Sequence, residues 1–161
     1  MKRYSILLVL ALGFLLVLGC EDDSNTDPEE NVTDVWVGTW LSAGTNVAPI
    51  LATYFLYDSV RVVFTENNTV TLATHVTDGA WTTIEGTFVL TESTDSDIDI
   101  IQLIYPAFEQ EGIIEIIDNT LRLEAVQTTP DIAATVPTPA VGFGADATLG
   151  TMNIQTYIRQ D

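Results

Sequence analysis

The chain has 161 residues, of which 23 are acidic and only five are lysine or arginine, so its formal net charge is −18 at pH 7. A polyanion of this density repels nucleic acid and anionic lipid, and neither is expected as a partner. The acids either attract cations or a basic protein, or simply keep the protein soluble. With one cysteine, no disulfide can form within the chain.

The first 19 residues have the pattern of a secretory signal peptide. Lys2 and Arg3 precede an almost unbroken apolar run over residues 6–18. This run is shorter than the roughly 20 apolar residues that span a bilayer. The charged start, the short apolar run and the small Gly19 at its end predict a signal that is removed from the mature protein.

The last residues of this segment, Val17-Leu18-Gly19-Cys20, resemble the lipobox of bacterial lipoproteins. The resemblance implies cleavage before Cys20 and attachment of palmitate-type acyl chains there. Stable anchoring takes more than one lipid chain, which a multiply acylated N-terminus supplies. The acids at 21–23 are similar to those of surface lipoproteins in Bacteroidota-type cells. The resemblance therefore implies an outer-membrane anchor, facing the periplasm or the cell surface.

Residues 20–34 form a predicted tether between the lipid and the folded part. After Cys20 this stretch holds seven acids, no basic residue and few apolar ones. Such a composition cannot bury enough surface to offset the entropy of ordering, so a disordered segment is expected. Beyond it the only basic residues are Arg61, Arg122 and Arg159.

Residues 35–161 are expected to form one all-β domain. Eight short segments rich in Thr, Val and Ile alternate apolar and polar residues with period two, which favours strands. Asn, Asp and Gly separate many of them, and no gap leaves room for crossover helices, so an antiparallel meander is predicted. Such a meander can close into a barrel, with a two-sheet β-sandwich as the alternative. The segments are 35–42, 59–65, 69–76, 80–91, 98–104, 112–117, 120–127 and 151–159.

Gly38-Thr39-Trp40, in the first predicted strand, resembles the G-x-W signature of the lipocalins and of lipocalin-like domains in bacterial lipoproteins. The resemblance implies that Trp40 closes one end of the barrel and that an arginine of the last strand, Arg159, packs across it. A guanidinium over an indole face contributes roughly 0.5–2 kcal/mol. Only the fold is implied, since no ligand follows from the resemblance.

The segment 46–58 interrupts the strand pattern and predicts a short helix. Asn46 is placed as an N-cap and Pro49 lies in the first turn. Tyr54 and Phe55 would share an apolar face with Ile50 and Leu51. This helix would cover the mouth of the barrel, as a lid whose Tyr54 and Phe55 face a ligand or as a plug that completes the core.

A long loop over residues 128–150 is the second interruption. Three prolines and three glycines prevent regular structure, and a loop of this length is usually functional or disordered. Its apolar residues, Ile132, Val136, Val141 and Phe143, predict that it packs on the barrel or on a partner.

No residue pattern predicts catalysis, a cofactor or a metal site. The lone His75 alternates with apolar strand residues and is expected on the outer face. The acidic stretch 94–99 fails the EF-hand pattern because Ile100 replaces the required glycine and Pro106 the bidentate glutamate. It is either a solvated hairpin tip or a looser calcium site. We therefore do not expect an enzyme.

Two functions remain. The barrel could hold a small apolar ligand under the 46–58 segment, or a filled barrel could present the 128–150 loop to another envelope protein. An eight-stranded barrel can be filled by its side chains or leave room for one small ligand, so the interior decides between them. The predicted inward residues are Val60, Val62, Phe64, Val70, Leu72, Phe88, Leu90 and Ile154.

Overall fold

The computed structural model describes residues 34–94 and 96–160. The predicted signal peptide, Cys20 and most of the acidic tether lie outside the described residues. Within them, eight strands form one closed barrel in which each strand is antiparallel to the next and the first pairs with the last. The predicted lipocalin-like antiparallel meander is confirmed, and the sandwich alternative is wrong.

The strand order follows the chain without crossovers. Among the described residues, two short 3₁₀ helices, at Gly44–Asn46 and Gly150–Asn153, and one α-helix, α1 (Pro49–Tyr54), complete the regular structure. In the part of the chain described here, no helix has the length and apolar character needed to cross a bilayer. The strands are β1 (Gly38–Ala43), β2 (Tyr57–Phe64), β3 (Thr69–Val76), β4 (Thr82–Thr91), β5 (Ile98–Ile104), β6 (Glu109–Ile117), β7 (Thr120–Thr129) and β8 (Ile154–Gln160).

Left-handed backbone at three hairpin turns explains the Asn and Asp residues found there. Asn68, Asp78 and Asp118 have φ angles of 58°, 62° and 53°. Short polar side chains tolerate this region, and tight connections between antiparallel strands require it. These turns hold the successive strands in register.

The period-two alternation directs one set of side chains into the barrel, as the sequence predicts. Seven of the eight predicted inward residues belong to the interior core or pack against it. Ile154 is the exception, because β8 directs Gln155 and Tyr157 inward instead. The prediction for Ile154 was wrong because β8 buries the face that carries Gln155 and Tyr157, which leaves Ile154 and Ile158 on the other face.

Trp40 closes one end of the barrel and is 0% exposed. The guanidinium carbon of Arg159 lies 4.5 Å from the centre of its ring, so the two residues pair as the sequence resemblance implies. Arg159 also donates hydrogen bonds to the carbonyls of Val35 and Val37. Gly38 is needed beside them because its φ is +138° and a Cβ there would lie 3.4 Å from Arg159 Nη1.

The helix near the barrel mouth is shorter than predicted. It begins at Pro49 with Ala48 as N-cap, and no side chain caps it, so the N-cap role predicted for Asn46 was wrong. Asn46 instead ends a 3₁₀ turn. The helix ends at Tyr54 because Leu56 adopts a φ of 59° and the chain enters β2 at Tyr57.

We expect Arg159→Met to destabilise the barrel by about 1–3 kcal/mol, because it removes a cation–π contact and two charge-assisted hydrogen bonds at the closed end. Urea unfolding followed by far-UV circular dichroism would measure this loss.

Arg61→Met is the matched control. Arg61 lies 4.9 Å from the centre of the Trp81 ring, but both residues are exposed on the outer surface. Its loss is expected to cost less than about 1 kcal/mol. Equal effects of the two substitutions would contradict a special role for Arg159.

Candidate ligand-binding site

The half of the barrel away from Trp40 contains a cavity of about 510 Å³. Inward residues of β2 to β8 form its wall, α1 lies at its edge, and the loop that follows β7 contributes further side chains. Most of the lining is apolar, and among the described residues that line it none is charged. The apolar wall includes Val60, Val62, Leu72, Ile84, Leu103, Leu123 and Ala125.

The α1 segment contributes Ile50, Leu51 and Phe55 to this lining. Phe55 follows the last helical residue and stacks on Tyr57 with ring centroids 5.7 Å apart. Tyr54 was predicted to face the ligand with Phe55, but it is 72% exposed and does not line the cavity. Only part of the predicted apolar face turns toward the cavity, and Tyr54 lies on the exposed side of the helix.

Two amide side chains with unused hydrogen-bonding atoms line the cavity. Gln155 accepts a hydrogen bond from the backbone N–H of Ala48 at 2.6 Å through Oε1, while its Nε2 has no partner in the described part of the chain. Asn153 donates from Nδ2 to the carbonyl of Ala125 at 3.5 Å, and its Oδ1 is similarly unpartnered. Neither residue was singled out by the sequence, where nothing distinguishes them from surface amides.

Tyr105 and Tyr157 line the same cavity and are almost fully buried. Burial raises the pKa of both hydroxyls above their usual range, and the proximity of Tyr105 adds to the shift at Tyr157. Both hydroxyls therefore stay protonated and can donate hydrogen bonds. Gly86 provides room for the Tyr105 ring, since a Cβ at this position would lie 2.7 Å from its Cδ1.

The loop of residues 130–149 packs on the barrel through two contacts near β7. Phe143 lies under the guanidinium of Arg122, with 4.0 Å from the guanidinium carbon to the ring centre. The backbone N–H of Gly144 donates to Glu124 Oε2 at 2.6 Å. Between these contacts and the barrel mouth, the loop places Ile132 and Leu149 in the cavity lining.

Two buried carboxyl groups in this region have opposite pKa shifts. Glu124 is 0% exposed and its Oε1 lacks a partner among the described residues, so desolvation raises its pKa. Asp146 accepts hydrogen bonds from the backbone N–H groups of Thr135, Thr148 and Leu149, and these lower its pKa. The carboxylate of Asp146 is stabilised inside the loop, and that of Glu124 is destabilised beneath the loop.

His75 lies outside the cavity and interacts with neighbouring side chains. Its Nδ1 is 2.7 Å from Asp58 Oδ1, its Nε2 is 3.1 Å from the carbonyl oxygen of Gly79, and its ring packs on Trp81. Within residues 34–94 and 96–160, no group of three or more His, Cys, Asp or Glu side chains is arranged to hold a metal ion. In the acidic stretch 94–99, Asp99 Oδ1 accepts the N–H of Ser93 at 2.9 Å.

Comparison with known proteins finds no family model that matches this sequence and no curated protein that is similar to it. The candidate site is therefore defined by its own geometry, which is a half-open apolar cavity with a few uncharged polar groups.

We expect Glu124→Gln to become more stable relative to the wild-type protein as pH rises from about 4 to about 8. A carboxyl whose pKa is raised by folding favours the native state less as pH increases from its unfolded pKa through its folded pKa. Glutamine keeps an acceptor for Gly144 and does not ionise. Thermal or urea unfolding of both proteins over this pH range would measure the difference.

Asp146→Asn serves as the comparison, because folding shifts the pKa of Asp146 in the opposite direction. Because folding lowers the pKa of Asp146, its contribution is fully present above the unfolded value of 3.8 and is lost only as pH falls through the lower folded value. The loss of stability caused by Asp146→Asn should therefore stay constant over the pH range in which the relative stability of Glu124→Gln changes. A pH-independent difference for Glu124→Gln would show that its carboxyl is not desolvated.

Proposed function

We propose that this protein is a lipid-anchored protein of a bacterial outer membrane that binds a small, apolar, uncharged molecule inside its barrel and releases it unaltered. The observation that carries the proposal is the 510 Å³ cavity whose described lining is mainly apolar and contains no charged side chain. Ligand sites in proteins typically measure about 300–1,000 Å³ and combine an apolar wall with a few polar groups.

The packing of the barrel supports a binding role over a filled interior. At the closed end, Trp40, Phe64 and Phe88 are buried, and the Phe64 and Phe88 rings lie 5.0 Å apart in an edge-to-face arrangement. The other half of the barrel keeps free volume, although aromatic side chains such as Tyr105 and Tyr157 also line it. Filling it with an apolar guest would contribute about 25 cal/mol for each Å² of apolar surface removed from water.

The absence of charge in the described lining defines the class of guest. A charged molecule that enters the cavity would lose its hydration and find no opposite charge to pair with, which costs several kcal/mol. An uncharged guest avoids this penalty. The net negative charge of the chain adds to the discrimination against anions at the cavity mouth.

The anchoring part of the proposal rests on the sequence of the N-terminus. The lipobox-like Val17-Leu18-Gly19-Cys20 supports acylation at Cys20, and the acidic residues 21–34 support a flexible tether. We place the protein at the outer membrane, with the barrel in the periplasm or at the cell surface.

A second candidate function is that of an accessory envelope protein that contacts a partner through the 128–150 loop. Val141 supports it, because it is 70% exposed at a turn in which Gly142 donates a 2.8 Å hydrogen bond to the carbonyl of Thr138. The remainder of the loop includes buried residues such as Pro137 and Asp146, and also Ile132, which is 57% exposed.

Native mass spectrometry of the protein purified from its own membranes, beside a denatured and solvent-extracted sample, tests these functions together. A discrete small molecule present only in the native sample would support the binding role and identify the guest. Association with a second polypeptide, without a small molecule, would favour the accessory role. The denatured mass shows whether acylated Cys20 is the first residue.

We expect Ala125→Phe to abolish or strongly reduce the amount of co-purified small molecule, because Ala125 lines the cavity and a phenyl ring would occupy its volume. Ala80→Phe introduces the same ring at an exposed position outside the cavity and should leave binding unchanged. Bound molecules would be quantified by native mass spectrometry. Full occupancy in Ala125→Phe would place the guest elsewhere.

We expect Cys20→Ser to prevent acylation and to shift the protein's mass by the absence of its acyl chains. Because the lipid contributes about 0.8 kcal/mol per buried CH₂, membrane association that depends on these chains should be lost. Metabolic labelling with a palmitate analogue in wild type and variant would measure acylation. Equal labelling of both proteins would exclude Cys20 as the attachment site.

A further inference from the structure

The unpartnered amide of Gln155 carries a more specific inference, which rests on the proposed binding function. We propose that Gln155 recognises the polar end of the guest, and that the guest carries an uncharged oxygen acceptor, such as an ester, ketone or alcohol oxygen, on an apolar body. The amide donates from Nε2 to this oxygen.

The orientation of the Gln155 amide is fixed by the protein. Its Oε1 accepts the N–H of Ala48 at 2.6 Å, which assigns the other end of the amide as the NH₂ group. Ala48 is itself 1% exposed and is the N-cap of α1. The amide is thus held between β8 and the start of the helix, and it does not need to reorient when a guest enters.

The donor is buried and has no partner among the described residues. Gln155 is 4% exposed, and Nε2 has no hydrogen-bond partner among the described residues. Buried donors are almost always satisfied, and leaving one unsatisfied carries a desolvation cost. A guest that supplies an acceptor removes this cost. The site therefore prefers guests with an oxygen acceptor over purely apolar guests.

The position of Gln155 in the barrel places its side chain in the cavity wall. On β8 it alternates with Tyr157 on the inward face and pairs across the ladder with Leu123, and all three residues line the cavity. The Tyr157 and Tyr105 hydroxyls, which burial keeps protonated, add donors to the same cavity. The unpartnered Oδ1 of Asn153 is the complementary acceptor for a guest that also carries a hydroxyl.

The cavity offers donors but no cation. The three arginines of the described chain each lie over an aromatic ring, Arg61 on Trp81, Arg122 on Phe143 and Arg159 on Trp40, and none of them lines the cavity. A carboxylate guest would bury its charge against neutral groups only. A neutral oxygen needs a single hydrogen bond, so esters, ketones and alcohols fit this lining better than fatty-acid anions.

Three probes with the same apolar chain test the proposal: decane, methyl decanoate and the decanoate anion. The purified protein is equilibrated with each probe by dialysis, and bound probe is quantified by gas chromatography. We expect methyl decanoate to bind about tenfold more tightly than decane, as one hydrogen bond to a buried donor would provide. Decanoate should bind more weakly than its methyl ester.

Gln155→Met should reduce the affinity for methyl decanoate to that for decane while leaving decane binding intact, which also reports a folded cavity. Gln155→Glu is the second variant, because it retains an acceptor for the Ala48 N–H. It is measured at alkaline pH, where the carboxylate cannot donate, and the same loss is expected. Gln110→Met is the matched control, since Gln110 also lines the cavity but is not among the buried unpartnered groups.

The outcomes separate this inference from the function on which it rests. Equal binding of decane and methyl decanoate by the wild-type protein, or an ester preference that survives both Gln155 substitutions, would overturn the role of Gln155 and leave the binding function standing. Tighter binding of decanoate than of the ester would overturn the neutral-acceptor class. Failure of all three probes to bind would count against the binding function itself.

Discussion

Closure between the first and last strands is the constraint on which the rest of this structure depends. The β1–β8 ladder contains three residue pairs, and the central one joins Trp40 to Arg159. This short seam is reinforced from inside, where the Arg159 guanidinium covers the indole and binds the chain that enters β1. Without the seam, two strands would become exposed edges, which other chains can pair with.

The closed end that this seam forms lies opposite the half of the barrel that contains the cavity. Arg159, Trp40 and the aromatic residues around them occupy one end, and the apolar cavity lies in the other half. The opposite end is covered by less regular elements, namely α1 and the loop after β7. Segments with few buried contacts open at lower free energy than core strands, which makes that end the natural entrance. The interior is therefore divided into a packed half and a hollow half.

Sequence patterns were sufficient for the fold because the strands obey local rules. Alternation, β-branched residues and turn residues such as Asn68 and Asp118 predict the eight strands, and G-x-W with a terminal arginine predicts the closed end. The cavity was not predictable, since hollow and filled barrels need similar inward residues. Gln155 was not predicted as a site residue because the orientation of its amide depends on a hydrogen bond from Ala48, which is 107 residues away in the sequence. Tyr54 was misplaced because only part of the predicted apolar face, carrying Ile50, Leu51 and Phe55, turns toward the cavity.

The use of arginine has a consequence for proteolysis. Residues 34–160 contain no lysine, and each of the three arginines lies in a strand with its guanidinium over an aromatic ring. Trypsin-like proteases cut after these two residue types and need several residues of extended, unpaired chain around the bond. In this barrel every such bond lies in or at the end of a hydrogen-bonded ladder, so cleavage requires the barrel to open first. The part of the chain that the structure describes therefore offers no ready cleavage site to trypsin-like proteases.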